Sequence, residues 1–156
     1  MTGSDIEIRL ATRDDLDTML ELYAQPEYDD GLVLDGETAA AIFERTGKYP
    51  YYRFFVAQRA DEVVGVYSLL IMENLGHMGS SSAIVEGVAV APQAQGEGVG
   101  AAMMAHALNT AREYGCYKLA LSSNLKRAGA HQFYERLGFR QHGVSYVVEP
   151  TARLAP

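Results

Sequence analysis

Apolar and polar residues alternate through Ile6, Ile8 and Leu10, which predicts a strand, and the period then changes. Leu16, Met19, Leu20 and Tyr23 share one face of a helix that Asp14 and Asp15 introduce and Pro26 ends. Glu27 to Asp35 is acidic and turn-like, and Glu37 to Thr46 predicts a second short helix with Ala40, Ala41 and Ile42 inside, closed by Gly47. Phe54 to Gln58 and Val63 to Met72 flank Arg59-Ala60-Asp61-Glu62 and predict an antiparallel hairpin. After a polar loop from Gly76 to Ser82, the apolar run Ala83 to Val90 predicts a strand that feeds a long helix, Gly98 to Tyr114. Met103, Ala107, Leu108 and Ala111 fall on its inner side, and Gly115 caps it. A short strand at Tyr117 to Leu121, a helix at Arg127 to Leu137 with Gly138 at its end, and strand material at Phe139–Arg140 and Val144 to Glu149 complete the pattern. The order is β-α-α-β-β-β-α-β-α-β, without repeats or low-complexity stretches.

Length changes this picture little: 156 residues predict one domain spanning 1–156, with room for a single core. The formal net charge of −7 argues against a nucleic-acid binder, which carries clustered Lys and Arg, and suits a cationic or neutral amine better. Cys116 is the single cysteine, which excludes an internal disulfide, and at a strand start it reads as a small buried hydrophobe. The N-terminus is polar through Thr2, Gly3, Ser4 and Asp5, and no apolar run approaches the length of a membrane span. The expectation is a soluble, cytoplasmic protein of a reducing compartment, with no membrane partner.

Candidate chemistry concentrates at residues 85–104. An apolar strand runs into a loop holding Gly96, Gly98 and Gly100, and a helix begins there. Glycines at such a turn let backbone approach a ligand, and the unpaired N–H groups of the first helical turn face it with the positive end of the dipole. A pyrophosphate suits that cradle. A nucleotide P-loop needs Lys and Ser or Thr after its last glycine, but Ala101 and Ala102 follow Gly100. A dinucleotide fingerprint needs G-x-G-x-x-G and an acidic residue at the end of the next strand, whereas the spacing is G-x-G-x-G and that strand ends in Ser122 and Ser123. The P-loop reading fails, and the dinucleotide pattern is matched only in part.

Gln95-x-x-Gly98-x-Gly100 after Val88-Ala89-Val90 resembles the acyl-CoA-binding motif of the GNAT superfamily of N-acetyltransferases. Further on, Ala130-His131-Gln132-Phe133-Tyr134-Glu135-Arg136-Leu137-Gly138-Phe139 resembles the same superfamily's late helix, A-x-x-F-Y-E-x-L-G-F, in the right order and at the right separation. The resemblance extends more loosely from Ile6 to Val148. It implies an α/β fold with a central twisted mixed β-sheet flanked by about four helices. It also implies a homodimer, acetyl-CoA as cosubstrate, no metal, and direct acetyl transfer to the primary amine of a small molecule such as an amino acid, amino sugar, polyamine or xenobiotic amine. Cofactor contacts carried over by the motif are Val88, Ala89, Val90, Gln95, Gly96, Glu97, Gly98, Val99 and Gly100.

Direct transfer needs a proton acceptor, a donor to the carbonyl oxygen and an acid for the leaving thiolate. Strand alternation puts Glu86 on a face with Ile84, Val88 and Val90, where a carboxylate is costly unless used or paired. It is the candidate base, directly or through water; the alternatives are pairing with a local arginine or an exposed strand start. Several enzymes that look like this family carry a glutamate at the corresponding strand position. Tyr134 matches the family tyrosine that approaches the thioester sulfur; a phenol of pKa about 10 protonates a thiolate only slightly uphill. The alternative is a tyrosine packed beside Phe133. The family's donor to the carbonyl oxygen is a backbone N–H within Val88 to Val90. Arg127 stands where the family pattern has asparagine, seven residues before the tyrosine, and either reaches a cofactor phosphate or is solvated. Asn124 and Ser122 are candidate donors to the pantetheine arm, and His131 is a proton shuttle or a structural histidine.

Tyr28, Asp29, Asp30, Tyr49, Tyr51, Tyr52 and His77 lie where the resemblance implies the acceptor site, and could hold an ammonium by charge and cation–π contact or simply form a solvated run and a packed aromatic edge. Two other functions stay open at this point: a non-catalytic acyl-CoA-binding or sensor module, and a nicotinamide-dependent oxidoreductase.

Overall fold

The computed structural model describes residues 5–124 and 127–156, so Thr2, Gly3 and Ser4 lie outside the described residues. The chain divides into two compact units, one ending at Leu121 and one running from Ser122 to Pro156.

The first unit holds β1 (Ile6–Leu10), α1 (Leu16–Tyr23), α2 (Gly36–Thr46), β2 (Tyr52–Arg59), β3 (Glu62–Met72), β4 (Ser82–Val90), α3 (Val99–Glu113) and β5 (Leu119–Leu121). The five strands form one mixed sheet in the order β1-β2-β3-β4-β5. The first four are antiparallel neighbours, and β5 runs parallel to β4. This is the mixed sheet with flanking helices that the sequence implied. Its centre is fully buried at Val56, Val64, Val66, Tyr67, Leu69 and Val85, and each such side chain contributes about 1.5–3 kcal/mol by leaving water.

Helical faces are where periodicity and packing diverge. In α3 the buried residues are Val99, Met103, Met104, Ala107 and Ala111, while Leu108 is 44% exposed. Val99, Met103, Ala107 and Ala111 follow steps of four; Met104, one position on, is buried with them, whereas Leu108 at the same offset is exposed. In α1 the buried residues are Met19 and Leu22 rather than the whole Leu16–Tyr23 face. In α2 only Ala39 is buried, and Ala41 and Ile42 are exposed. A short helix lying on a sheet edge buries a single turn, so a three-residue apolar run places two of its members outside.

Helix ends follow local rules. Asp35 caps α2, accepting the Thr38 amide at 3.0 Å and its hydroxyl at 2.7 Å. After α3, Gly115 takes φ 67° while its N–H donates to the Arg112 carbonyl (3.0 Å) and the Cys116 N–H to the Ala111 carbonyl (2.9 Å). That is the paired 5→2 and 6→1 closure of a Schellman cap. Cys116, expected as a small buried hydrophobe, is half-buried, and that burial pushes its thiol up.

The second unit is built on α4 (Ala128–Arg136). The strand expected over Phe139–Arg140 and Val144 to Glu149 is absent: 139–149 belong to no ladder. Val144, Tyr146 and Val147 are 76%, 90% and 93% exposed. Alternation supplies a strand's side-chain pattern, but a strand also needs a partner's backbone.

Candidate active site

β4 pairs with β5 only over Ala83, Ile84 and Val85, opposite Leu119, Ala120 and Leu121. From Glu86 to Val90, β4 continues with no β5 partner among the described residues. Within this stretch the antiparallel register to β3 also breaks. Ser68 lies opposite Glu86 and Val66 opposite Ala89, so β4 spends three steps where β3 spends two. The extra residue is accommodated at Gly87, with φ 56°. A Cβ there would sit 2.8 Å from the Tyr23 hydroxyl, so both conformation and space require glycine.

The bulge corrects the expected surroundings of Glu86. Simple alternation puts it with Val88 and Val90, but the added residue flips the parity, and Glu86 shares its face with Ile84 and Ala89 instead. Its side chain is exposed rather than set into an apolar face. The carbonyls around it are held by side chains from elsewhere in the unit. Tyr52 donates to Ser68 Oγ (3.3 Å), and Ser68 donates to the Glu86 carbonyl (3.1 Å). The Tyr23 hydroxyl donates to the Gly87 carbonyl at 2.8 Å, the Tyr28 hydroxyl to the Val88 carbonyl, and Gln25 Nε2 to the Val90 carbonyl at 3.1 Å. Burial drives the Tyr23 phenol far above its usual range, so it stays a donor.

Of the residues expected around an acceptor, Tyr28 and Tyr52 therefore meet at this bulge, and Tyr49 packs on Tyr52 with centroids 5.8 Å apart. Tyr51 turns away to Tyr114, the residue after α3 (4.9 Å), beneath the Arg53 guanidinium, and His77 stacks on Tyr117 (4.3 Å). Asp29 and Asp30 are exposed. Sequence reasoning missed Tyr23, Gln25 and Ser68. Their only signal is a polar atom at the end of a helix or inside a strand otherwise filled with apolar residues.

Beyond Val90 the chain makes a 3-10 turn at Pro92–Ala94 and enters the glycine loop. Gly96 and Gly98 take φ 79° and 88°, and a Cβ on either would meet nothing within 4 Å. Both glycines are needed for backbone conformation, and the space beside them is open. Gln95 turns its amide back to the Val90 carbonyl (3.4 Å), tying loop to strand. α3 then starts with no side chain capping it, and its first backbone bond runs from the Ala102 N–H to the Gly98 carbonyl (3.0 Å). The amides of Val99, Gly100 and Ala101 precede that bond and have no acceptor within the helix. Buried Val99 anchors the turn against Gly65 of β3, where an added Cβ would meet its Cγ1 at 2.9 Å. Uncapped amides, the positive end of a fifteen-residue helix and open space beside two glycines form a donor set that fits a pyrophosphate.

In the second unit, the Asn124 carbonyl accepts the Arg127 N–H (3.0 Å) and the His131 ring Nε2 (2.8 Å). His131 thus carries its proton on Nε2 and latches the start of α4. Gly138 takes φ 99°, with its N–H donating to the Glu135 carbonyl (3.0 Å) and the Phe139 N–H to the Tyr134 carbonyl (3.0 Å). The Tyr134 ring lies between Phe133 and Phe139, 5.1 and 5.6 Å away. The run from Tyr134 to Phe139 is therefore a Schellman cap whose flanking aromatics hold one tyrosine. No helix among the described residues is long and apolar enough to cross a membrane.

A family model described as the acetyltransferase (GNAT) family matches residues 14–139. The chain belongs to the GNAT family. Glucosamine 6-phosphate N-acetyltransferase of Trypanosoma brucei brucei is 32% identical over 139 residues, 88% of this chain and 91% of that one. Aminoalkylphosphonate N-acetyltransferase of Salmonella typhimurium is 34% identical over 138 residues, 86% of this chain and 85% of that one. A crystal structure of a Trypanosoma brucei acetyltransferase superimposes with a TM-score of 0.79 at 30% identity, covering 93% of this chain and 99% of that one. This GNAT protein is accordingly an acetyltransferase, and the group that receives the acetyl is an amine.

Proposed function

We propose that this acetyltransferase moves the acetyl group of acetyl-CoA directly to the primary amine of a small molecule, using the whole chain as one catalytic domain. The observation that carries the reading is the uncapped N-terminus of α3 behind Gly96 and Gly98, at the end of a strand that from Glu86 onward has no β5 partner among the described residues. The amides of Val99, Gly100 and Ala101 hold the pyrophosphate, with Gln95, Gly96, the backbone of Glu97 and Gly98 shaping the loop, and the stretch Val88, Ala89 and Val90, which has no β5 partner among the described residues, receives the pantetheine arm. Bound acetyl-CoA supplies the acetyl group as a thioester and leaves as a thiol. A backbone N–H of the Val88–Val90 stretch donates to the carbonyl oxygen as charge grows there.

Glu86, exposed beside the bulge, takes the amine proton through water, and Tyr134 returns a proton to sulfur. Asn124 and Arg127 serve the cofactor, and His131 holds Asn124 in place for it. Acceptors that combine an amine with a phosphate or phosphonate have first claim, because the two named relatives act on glucosamine 6-phosphate and aminoalkylphosphonates. Calorimetric titration with acetyl-CoA tests the cofactor: one-site binding supports it, and absence of binding by folded protein removes acetyl-CoA as the cosubstrate. Release of CoA is then followed with glucosamine 6-phosphate, 2-aminoethylphosphonate, amino acids and polyamines. Tyr134→Phe should lower turnover roughly 10²-fold or more while leaving acetyl-CoA affinity within about twofold; unchanged turnover takes Tyr134 out of the mechanism.

A further inference from the structure

We propose that Arg59 is a positioning residue for the cofactor loop: it draws the carboxylate of Glu97 away from the helix amides that would bind the pyrophosphate. The inference rests on the reading of that loop as the acetyl-CoA site.

Between Gln95 and Gly100 the only charged residue is Glu97. It sits immediately before the N-cap of α3, Gly98, and the three amides that follow have no side-chain acceptor. A carboxylate next to an uncapped helix N-terminus is attracted to it by both the free N–H groups and the dipole. Left alone, Glu97 is an internal competitor for the anion site. In the structure it makes no cap. Its Oε2 instead pairs with Nη1 of Arg59, and the two side chains are 48% and 34% exposed.

Arg59 is suited to hold it. It is the last residue of β2, with its backbone in register against both Ile6 of β1 and Glu62 of β3, so the cation is presented from a fixed hairpin end rather than a mobile loop. Asp61 and Glu62 lie in the same turn and are rival anions for Arg59. Glu62 accepts from Gln93 Nε2 at 3.2 Å, while the guanidinium pairs with Glu97.

An exposed ion pair contributes little to stability, so the consequence is expected in ligand binding rather than in folding. Acetyl-CoA affinity is measured by calorimetry for wild type, Arg59→Ala, Glu97→Gln and the double variant, with thermal melts as a control on folding. Arg59→Ala should weaken acetyl-CoA binding roughly three- to tenfold, most at low salt, because it releases a carboxylate beside a polyanion. Glu97→Gln should bind at least as tightly as wild type, and in its background Arg59→Ala should change nothing.

Three results overturn the proposal: Arg59→Ala binding as wild type does, Glu97→Gln binding more weakly, or Arg59→Ala weakening binding equally with and without Glu97. The last would make Arg59 a direct phosphate ligand. Failure of wild type itself to bind acetyl-CoA counts against the proposed function instead, so the two failures are distinguishable.

Discussion

Asp15 shows how much one buried carboxylate organises. It is 7% exposed and receives a two-pronged guanidinium from Arg9 of β1, at 2.8 and 2.9 Å, plus the Thr12 N–H at 2.7 Å. Those donors, Arg9 foremost, hold its carboxyl down from 3.8 to about 2. Because the folded value lies below the unfolded one, the contribution is complete above about pH 4 and fades as pH falls through about 2; it amounts to about 2 kcal/mol. Asp15→Asn should lose roughly that much in denaturant titrations at neutral pH, and the gap to wild type should close only in strong acid. His106 behaves in the same sense at milder pH. Its Nδ1 is hydrogen-bonded to the buried Tyr67 hydroxyl at 2.7 Å, and burial pushes the imidazole below its ordinary 6.5. Neutral His106 therefore stabilises the fold above pH 6.5, and that part is lost as pH falls through the depressed value. Melting temperature measured against pH should fall below 6.5 in wild type and be flatter in His106→Asn.

At the scale of elements, the same device closes α3 and α4, a glycine in left-handed conformation followed by a half-buried residue. At Gly138 a Cβ meets nothing within 4 Å, so replacement costs only backbone conformation. Gly138→Ala should cost about 1–2 kcal/mol and, by loosening the turn that holds the Tyr134 ring against Phe139, lower turnover as well. A drop in stability with full activity would separate the cap from the chemistry. The β4 bulge is a device of the other kind, built by long-range contacts from Tyr23 and Ser68. The glycine loop was legible in the chain because its conformation is local. The bulge was not, since a register shift is decided between two strands and Gly87 alone does not announce which neighbour it faces.

For the molecule as a whole, the glycine loop and the end of β4 belong to the unit ending at Leu121, and the Tyr134 motif to the unit beginning at Ser122. We expect a homodimer to be the working form, and a sedimentation mass of a single 17.0 kDa chain would refute it. The sequence by itself determined what depends on neighbours along the chain: the glycine loop, the helix caps, the β2–β3 hairpin, and through its two motifs the family. Only the tertiary structure decided the parity of Glu86, the choice of Met104 over Leu108 for the core, the pairing of Arg59 with Glu97, and the absence of a strand at 139–149. The physical reason is one of range. Backbone conformation at a glycine or a cap is set by residues a few positions away, whereas a register, a buried face or an ion pair exists only once a distant segment supplies its other half.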